Sequence, residues 1–159
     1  MKSPLNRARE ILGTGRLGRW ALAKAVTWSA PFFLSIRPRF AVFEPGHVEV
    51  LLRKRWGVTN HIGTVHAIAM CNAAEFAAGT CCELTVPGQL RWIPVGMTVE
   101  YLALAKTDLR AVCVIEPAVL SEVGDAVLLV ELFDTDEQLV FTARITMRVS
   151  ERKARAKAA

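Results

Sequence analysis

The chain has 159 residues, with 20 lysines and arginines against 15 acids and a net charge of +5. Apolar residues make up 52% and charged residues 22%, which excludes a disordered chain and suits one domain with a real core. The positive charge gathers at Arg7, Arg9, Arg16 and Arg19, at Arg53, Lys54 and Arg55, and at Arg152, Lys153, Arg155 and Lys157. Nucleic acid, an anionic membrane surface and a phosphate-bearing ligand would each suit this pattern, and so would plain solvated ends.

Residues 4–30 read as helical, weakened by Gly13, Gly15 and Gly18. The helix is expected to pack its Leu17, Trp20 and Trp28 side on the domain. The apolar stretch from Trp20 to Ile36 is interrupted by Lys24 and broken by Pro31, so it is too short and mixed for a membrane span, and an exported fate is not expected. Pro31, Pro38 and Pro45 predict irregular connections. Residues 47–56 alternate, with Val48, Val50 and Leu52 opposite His47, Glu49, Arg53 and Arg55, which predicts a half-buried strand. Gly57 to Gly63 reads as a loop.

From about 64 to 82 the chain is almost wholly apolar, with Thr64, His66, Asn72, Glu75 and Thr80 as its polar side chains. That predicts a buried central helix, frayed near Gly79 and Thr80. After Pro94 the pattern turns to strands. Met97, Val99, Tyr101, Ala103 and Ala105 alternate with polar residues, then Leu109 to Ile115, Ala126 to Phe133 and Leu139 to Val149 do the same across short turns. Consecutive strands with short turns predict an antiparallel meander. The expected fold class is therefore α+β, a sheet of five to six antiparallel strands wrapped around the helix at about 64–82. One sheet covers one side of such a helix, and the exposed remainder favours a dimer. The expected domain is single over 1–159, with an N-terminal helical extension at 1–39 and a basic tail at 150–159.

Four cysteines, Cys71, Cys81, Cys82 and Cys113, form no C-x-x-C pair and sit in apolar context, as in a reduced cytoplasmic protein. Gly13-Thr14-Gly15-Arg16-Leu17-Gly18 matches G-x-G-x-x-G, but no buried strand precedes it and no acid follows near Arg37 to Arg39, as dinucleotide binding requires. No G-x-S-x-G, P-loop or H-E-x-x-H is present. His47, His61 and His66 are too scattered for a metal site, and no metal is expected.

The chemistry points elsewhere. A carboxylate in an apolar helix needs a partner or a shifted pKa, which singles out Glu75. A pairing with Arg144 or Arg148 is the structural alternative. His66 falls at the helix start, where free N–H groups and the dipole favour a developing anion. Gly63 permits close approach to backbone, and Asn72, three residues before Glu75, is placed to orient its carboxylate. His66 and Glu75 are nine positions apart, about 13–14 Å along the axis and on opposite faces. Within one chain they cannot act on one bond; across a twofold axis they can.

Asn60-x-x-Gly63-x-x-His66, followed nine positions later by Glu75, resembles the hot-dog-fold acyl-CoA thioesterases of the phenylacetate-pathway (PaaI-like) type, in a branch known as a domain of unknown function. The resemblance covers about residues 40–150. It implies a homodimer, often paired into a tetramer, with two shared sites. Glu75 would activate water or attack the thioester carbonyl, Asn60 would position the reacting groups, and backbone N–H groups of His66 and Ala67 would polarise the carbonyl. Gly63, Thr64, Ala67, Asn72, Lys106 and Arg110 are the expected substrate-binding residues, the last two for the phosphates of an acyl-CoA. Two departures stand out. The family's Gly-Gly after the histidine is Ala67-Ile68 here, and its frequent Asp is Glu75. The N-terminal extension, with Trp20, Trp28, Phe32 and Phe33, is expected to lid an acyl tunnel. No cofactor is implied beyond the CoA carried by the substrate, and neither nucleic acid nor an integral membrane segment is expected. A non-catalytic acyl-ligand-binding protein and an enoyl-thioester hydratase are the alternatives.

Overall fold

Arg39–Glu44, expected to be an irregular connection, is the first strand of the sheet. The computed structural model describes residues 3–152, in which β1 (Arg39–Glu44) and β2 (His47–Leu52) form an antiparallel hairpin. Pro38 and Pro45 flank β1 instead of interrupting it, and β1 lies at the edge of the sheet, where a proline costs least. Phe40 and Phe43 point inward, and Pro45-Gly46 makes the turn with Gly46 at φ 78°.

The glycine run is a corner between two helices, α1 (Pro4–Leu12) and α2 (Arg16–Ser29). Ser3 caps α1 by accepting from the Asn6 amide at 3.2 Å. Gly13, at φ 70°, ends it. A side chain on Gly18 would meet the Gly13 carbonyl at 2.2 Å and that of Leu12 at 2.4 Å. Gly18 therefore serves close helix packing, and Gly13 serves the corner through its positive φ. The packing face also differs from the expected one. Gly18, Leu22, Ala23 and Thr27 are buried, while Leu17, Trp20 and Trp28 are 84%, 59% and 88% exposed. Small residues on the inner face let α2 lie close, and that turns the tryptophans outward. A 3-10 turn, Pro31–Ser35, leads to β1, so the extension ends just before Arg39.

The central helix α3 spans Ala67–Thr85, three residues later than expected at both ends. Thr64 and Val65 belong to a loop in which Val65 bridges Thr59. Gly79 and Thr80 lie well inside the helix. Gly79 leaves room for the Trp92 ring, 3.1 Å from where a Cβ would stand. Pro87 follows the true end. The helix packs Ala73, Ala74, Phe76, Ala77, Cys81 and Leu84 into the core.

The remaining strands are β3 (Leu90–Tyr101), β4 (Leu109–Val114), β5 (Gly124–Phe133) and β6 (Leu139–Glu151). The sheet order is β1-β2-β4-β5-β6-β3. The meander expectation holds for β4 to β6 but not for β3, which pairs with β6 at the far edge, from Leu90 opposite Glu151 to Tyr101 opposite Phe141. The segment after Tyr101 crosses the sheet instead of turning back, tied by the amides of Leu102 and Ala103 to the Val140 carbonyl. β3 also begins before Pro94, and a register shift between Pro94 and Gly96 absorbs the missing N–H. Alternate residues of β5 and β6, among them Leu128, Val130, Leu132, Ile145 and Met147, complete the core.

Cys81, Cys82 and Cys113 are buried between helix and sheet. Burial pushes the Cys82 thiol up, and the hydrogen bond with Cys81 together with burial does the same to Cys113. Cys82 and Cys113 are packing groups and not nucleophiles, and Cys81, whose thiol the hydrogen bond with Cys113 draws below the usual thiol range, is fully buried. No described helix is long and apolar enough to cross a membrane. Of the basic tail, Ser150 and Glu151 finish β6 and the Arg152 amide donates to Gln89. Lys153, Arg155 and Lys157 lie outside the described residues.

Candidate active site

The loop from Asn60 to His66 is a locked unit. Asn60 Oδ1 accepts from the amides of Ile62 (3.2 Å) and Thr64 (3.1 Å), and its Nδ2 donates to Thr64 Oγ1 at 2.8 Å. The Asn60 amide donates to the Thr64 carbonyl, and the Gly63 amide returns a bond to the Asn60 carbonyl. Gly63 sits at φ 77° with open space beside it, a left-handed position suited to glycine. Asn60 and Thr64 therefore act first on their own loop, and Thr64 is buried within it.

This loop sets the start of α3. His66 is its N-cap, and Nδ1 accepts the Ile68 amide at 3.1 Å. The His66 amide donates to the Val58 carbonyl at 2.8 Å. That corrects one expectation, since this N–H is already used within the fold. The Ile68 amide is taken by the imidazole, and the Ala69 and Met70 amides go to the His66 carbonyl. Among the described residues the Ala67 amide alone in this first turn keeps no partner, so it is the donor left for a carbonyl oxygen.

His66 borders a cleft of about 180 Å³ with Ser35, Ile36, Thr59, Ile68 and Asn72. Asn72 belongs to this cleft and makes no hydrogen bond to Glu75, contrary to expectation. Its Nδ2 donates to Ser35 Oγ at 3.0 Å, and that hydroxyl donates onward to the Phe32 carbonyl at 2.7 Å. Ser35 must therefore accept from Asn72, which fixes the amide orientation. Asn72 Oδ1 then has no partner although the residue is 6% exposed. A buried orphan acceptor invites a donor from a ligand or a water. Sequence reasoning missed Ser35, because nothing in its local pattern signals a meeting with a helix 37 residues away.

Glu75 opens on the other side of α3, into a groove of about 500 Å³ roofed by α1 and α2. Leu5, Ala8, Val26, Phe33, Phe76 and Trp92 line it. Glu75 is half-buried and has no hydrogen-bond or ion-pair partner among the described residues. The alternative pairing with Arg148 fails because that guanidinium holds Asp125 at 2.8 and 2.9 Å across β5 and β6. Arg144 is an exposed residue of β6 with no bond to Glu75. Glu83, two turns on, accepts from Trp92 Nε1 at 3.1 Å. The extension does roof an apolar groove, but with Leu5, Ala8, Val26 and Phe33. Phe33 stacks edge-on to Phe76 at 5.0 Å, whereas Trp28 and Phe32 are 88% and 71% exposed.

His66 and Glu75 thus line two separate cavities on opposite sides of one helix, as their spacing predicts. Arg110 does not present a free charge. It pairs with Glu49 at 3.3 Å and with Glu137, and lies over the Phe133 ring at 5.4 Å. A guanidinium held by two carboxylates is a poor phosphate ligand, which corrects that assignment. The side chain of Lys106 is exposed, and its carbonyl accepts from Lys54 Nζ at 2.9 Å. Among the described residues no three His, Cys, Asp or Glu side chains converge as metal ligands.

A helix wrapped by a six-stranded antiparallel sheet, here with an acid and a capped helix start on opposite faces of the helix, is the hot-dog fold. The chain belongs to the family described as Domain of unknown function (DUF4442), whose pattern matches residues 18–149. It is similar to a structural-genomics crystal structure at 43% identity, covering 93% of this chain and 99% of that one with a TM-score of 0.81. A Pseudomonas aeruginosa protein of unknown function, described as a probable thioesterase, shares 21% identity over 96% of this chain and 99% of its own, with a TM-score of 0.74. A Haemophilus influenzae thioesterase has the same fold at 13% identity, covering 78% of this chain and 85% of its own with a TM-score of 0.68. No curated protein matches the chain.

Proposed function

We propose that the protein hydrolyses acyl-CoA-type thioesters to the free acid and thiol, at two sites shared across a homodimer. The observation that carries this reading is Glu75, a carboxylate with no partner among the described residues that faces an apolar groove of acyl-chain character. An acid without a structural partner in such a place is available for proton transfer. Glu75 takes a proton from water as the water oxygen bonds to the acyl carbon. The C–S bond then breaks, and the departing thiolate recovers the proton from Glu75. A direct attack by Glu75, followed by hydrolysis of the anhydride, gives the same products. The Ala67 amide of the partner helix start stabilises the oxyanion, with Asn60 and His66 holding that loop in shape.

Two features favour the dimer. Glu75 and the His66 cleft lie on opposite faces of α3, so one chain does not complete a site. β3 is also a long edge strand with exposed Ile93 (59%) and Val95 (45%), a surface that pairs readily with a second copy about a twofold axis. Glu75→Gln is expected to remove thiol release from a panel of acyl-CoAs by at least about a hundredfold while leaving the melting temperature nearly unchanged. Wild-type protein that binds acyl-CoA yet never releases thiol would instead make it an acyl-ligand-binding protein. Loss of enoyl absorbance from an enoyl-CoA without thiol release would make it a hydratase.

A further inference from the structure

A second cavity, of about 380 Å³, lies outside the site just described and is lined by six cations, Lys24, Arg37, Arg39, Arg53, Lys54 and Arg55. They come from three places in the chain: α2, the turn into β1, and the segment leaving β2. Among the described residues no carboxylate lines the cavity. Asp108 is nearby, 3.9 Å from Arg53 Nε and accepting the Lys54 amide at 2.8 Å. Arg55 donates to the Ser35 carbonyl. Lys24, Arg37 and Arg39 have no side-chain partner among the described residues. Arg37 adopts φ 50°, a left-handed backbone that costs a side-chain-bearing residue free energy. Like charges brought together, one of them on strained backbone, oppose folding unless an anion joins them.

The cavity has one aromatic wall, Trp20, which is 59% exposed. It stands one helical turn from Lys24, on the same side of α2. An indole face beside several guanidinium groups is the chemistry of nucleotide recognition, a base stacking on the ring while phosphates meet the cations. The cavity also adjoins the His66 cleft. The two share Ile36, and Arg55 touches Ser35, which in turn holds Asn72.

We propose that this cavity binds the phosphorylated purine nucleotide end of a CoA-type thioester, the base against Trp20 and the phosphates on the arginines of the β1 and β2 ends. The thiol-bearing arm then runs past Ser35 toward His66. The identity of the ligand rests on the thioester reading, whereas nucleotide binding is measurable apart from it. The phosphate-binding role expected of Lys106 and Arg110 moves to this cluster.

The test is calorimetric titration of the full-length protein with adenosine 3′,5′-bisphosphate. Binding that weakens as salt is raised is expected. Trp20→Ala should lower the affinity about fivefold to a hundredfold, and Arg39→Gln and Arg53→Gln should each lower it about tenfold. All three side chains are exposed, and circular dichroism checks that the variants fold. The ratio of kcat/KM for an acyl-CoA to that for the same acyl group on N-acetylcysteamine should fall in parallel. No bisphosphate binding, or binding equal in all variants, overturns the proposal. So does turnover of an acyl carrier protein thioester that depends on these arginines without bisphosphate binding, which would assign the patch to an acidic protein. Bisphosphate binding that the variants weaken, with neither thioester hydrolysed, keeps the nucleotide site and defeats the hydrolase reading. Hydrolysis of both esters with a ratio insensitive to the variants does the reverse.

Discussion

Asn60 uses every polar atom of its side chain inside its own loop. The sequence singles Asn60 out, but the bonds it makes were not legible there. The spacing from Asn60 to Gly63 to His66 marks a constrained turn, yet which amides the side chain accepts depends on the loop closing through the Thr59–Val65 bridge. The same closure commits the His66 amide to Val58 and leaves Ala67 as the free donor. The opposite placement of His66 and Glu75 was fully legible, because it follows from 100° per residue in any helix. The convergence of Lys24, Arg37 and Arg55 was not, because the three are joined only by the packing of α2 against the hairpin. Asn60→Ala is expected to destabilise the protein by about 1–3 kcal/mol, through the orphaned Thr64 amide, and to lower thiol release further than that loss explains. Asn60→Asp keeps both acceptor bonds and should recover most of the stability. Chemical denaturation of the three proteins, compared with their kcat values, checks both statements.

At the scale of elements, the strictly alternating strands and the apolar helix were readable from period alone, and β5 and β6 begin close to where the alternation does. The failures share a cause. β1 hides between two prolines, β3 leaves the meander, and α2 turns its tryptophans outward, and in each case a tertiary contact overrides a local signal. Gly18 is the sharpest example. In sequence it weakens a helix; in the fold it lets α2 cross the carbonyls of Leu12 and Gly13 at distances no side chain permits. Gly18→Ala would improve intrinsic helix propensity by about 1 kcal/mol. The clash is with backbone, which cannot swing aside as a flexible side chain can. The expected net result is a loss of about 1–3 kcal/mol and release of α1 from the groove beside Glu75. Hydrogen exchange should show faster exchange confined to residues 4–12, and a variant with unchanged protection there would contradict the packing role given to this glycine.

At the scale of the whole molecule, two of the exposed apolar surfaces among the described residues belong to the sheet. One is the β3 edge, and the other is the outer sheet face, where Leu51, Val114, Val127 and Leu129 are 38%, 61%, 57% and 42% exposed. The first joins naturally to the catalytic proposal, because a twofold axis beside β3 would set two α3 helices side by side and let the Glu75 of one face the helix start of the other. Complementation tests this directly. Glu75→Gln and His66→Ala homodimers would each lack a working site. In a twofold dimer with shared sites, a heterodimer of the two carries both lesions in one site and none in the other. Random mixing then gives about half heterodimers with one intact site each, or about a quarter of the wild-type activity. If each site lay within a single chain, every site would carry a lesion and mixing would restore nothing. Coexpression of two differently tagged variants, with the doubly tagged dimer purified, raises the expectation to about half of wild type per dimer and removes the assumption of random exchange. Activity at the level of the parent variants in that purified species would defeat the shared-site arrangement while leaving the fold and the nucleotide cavity untouched.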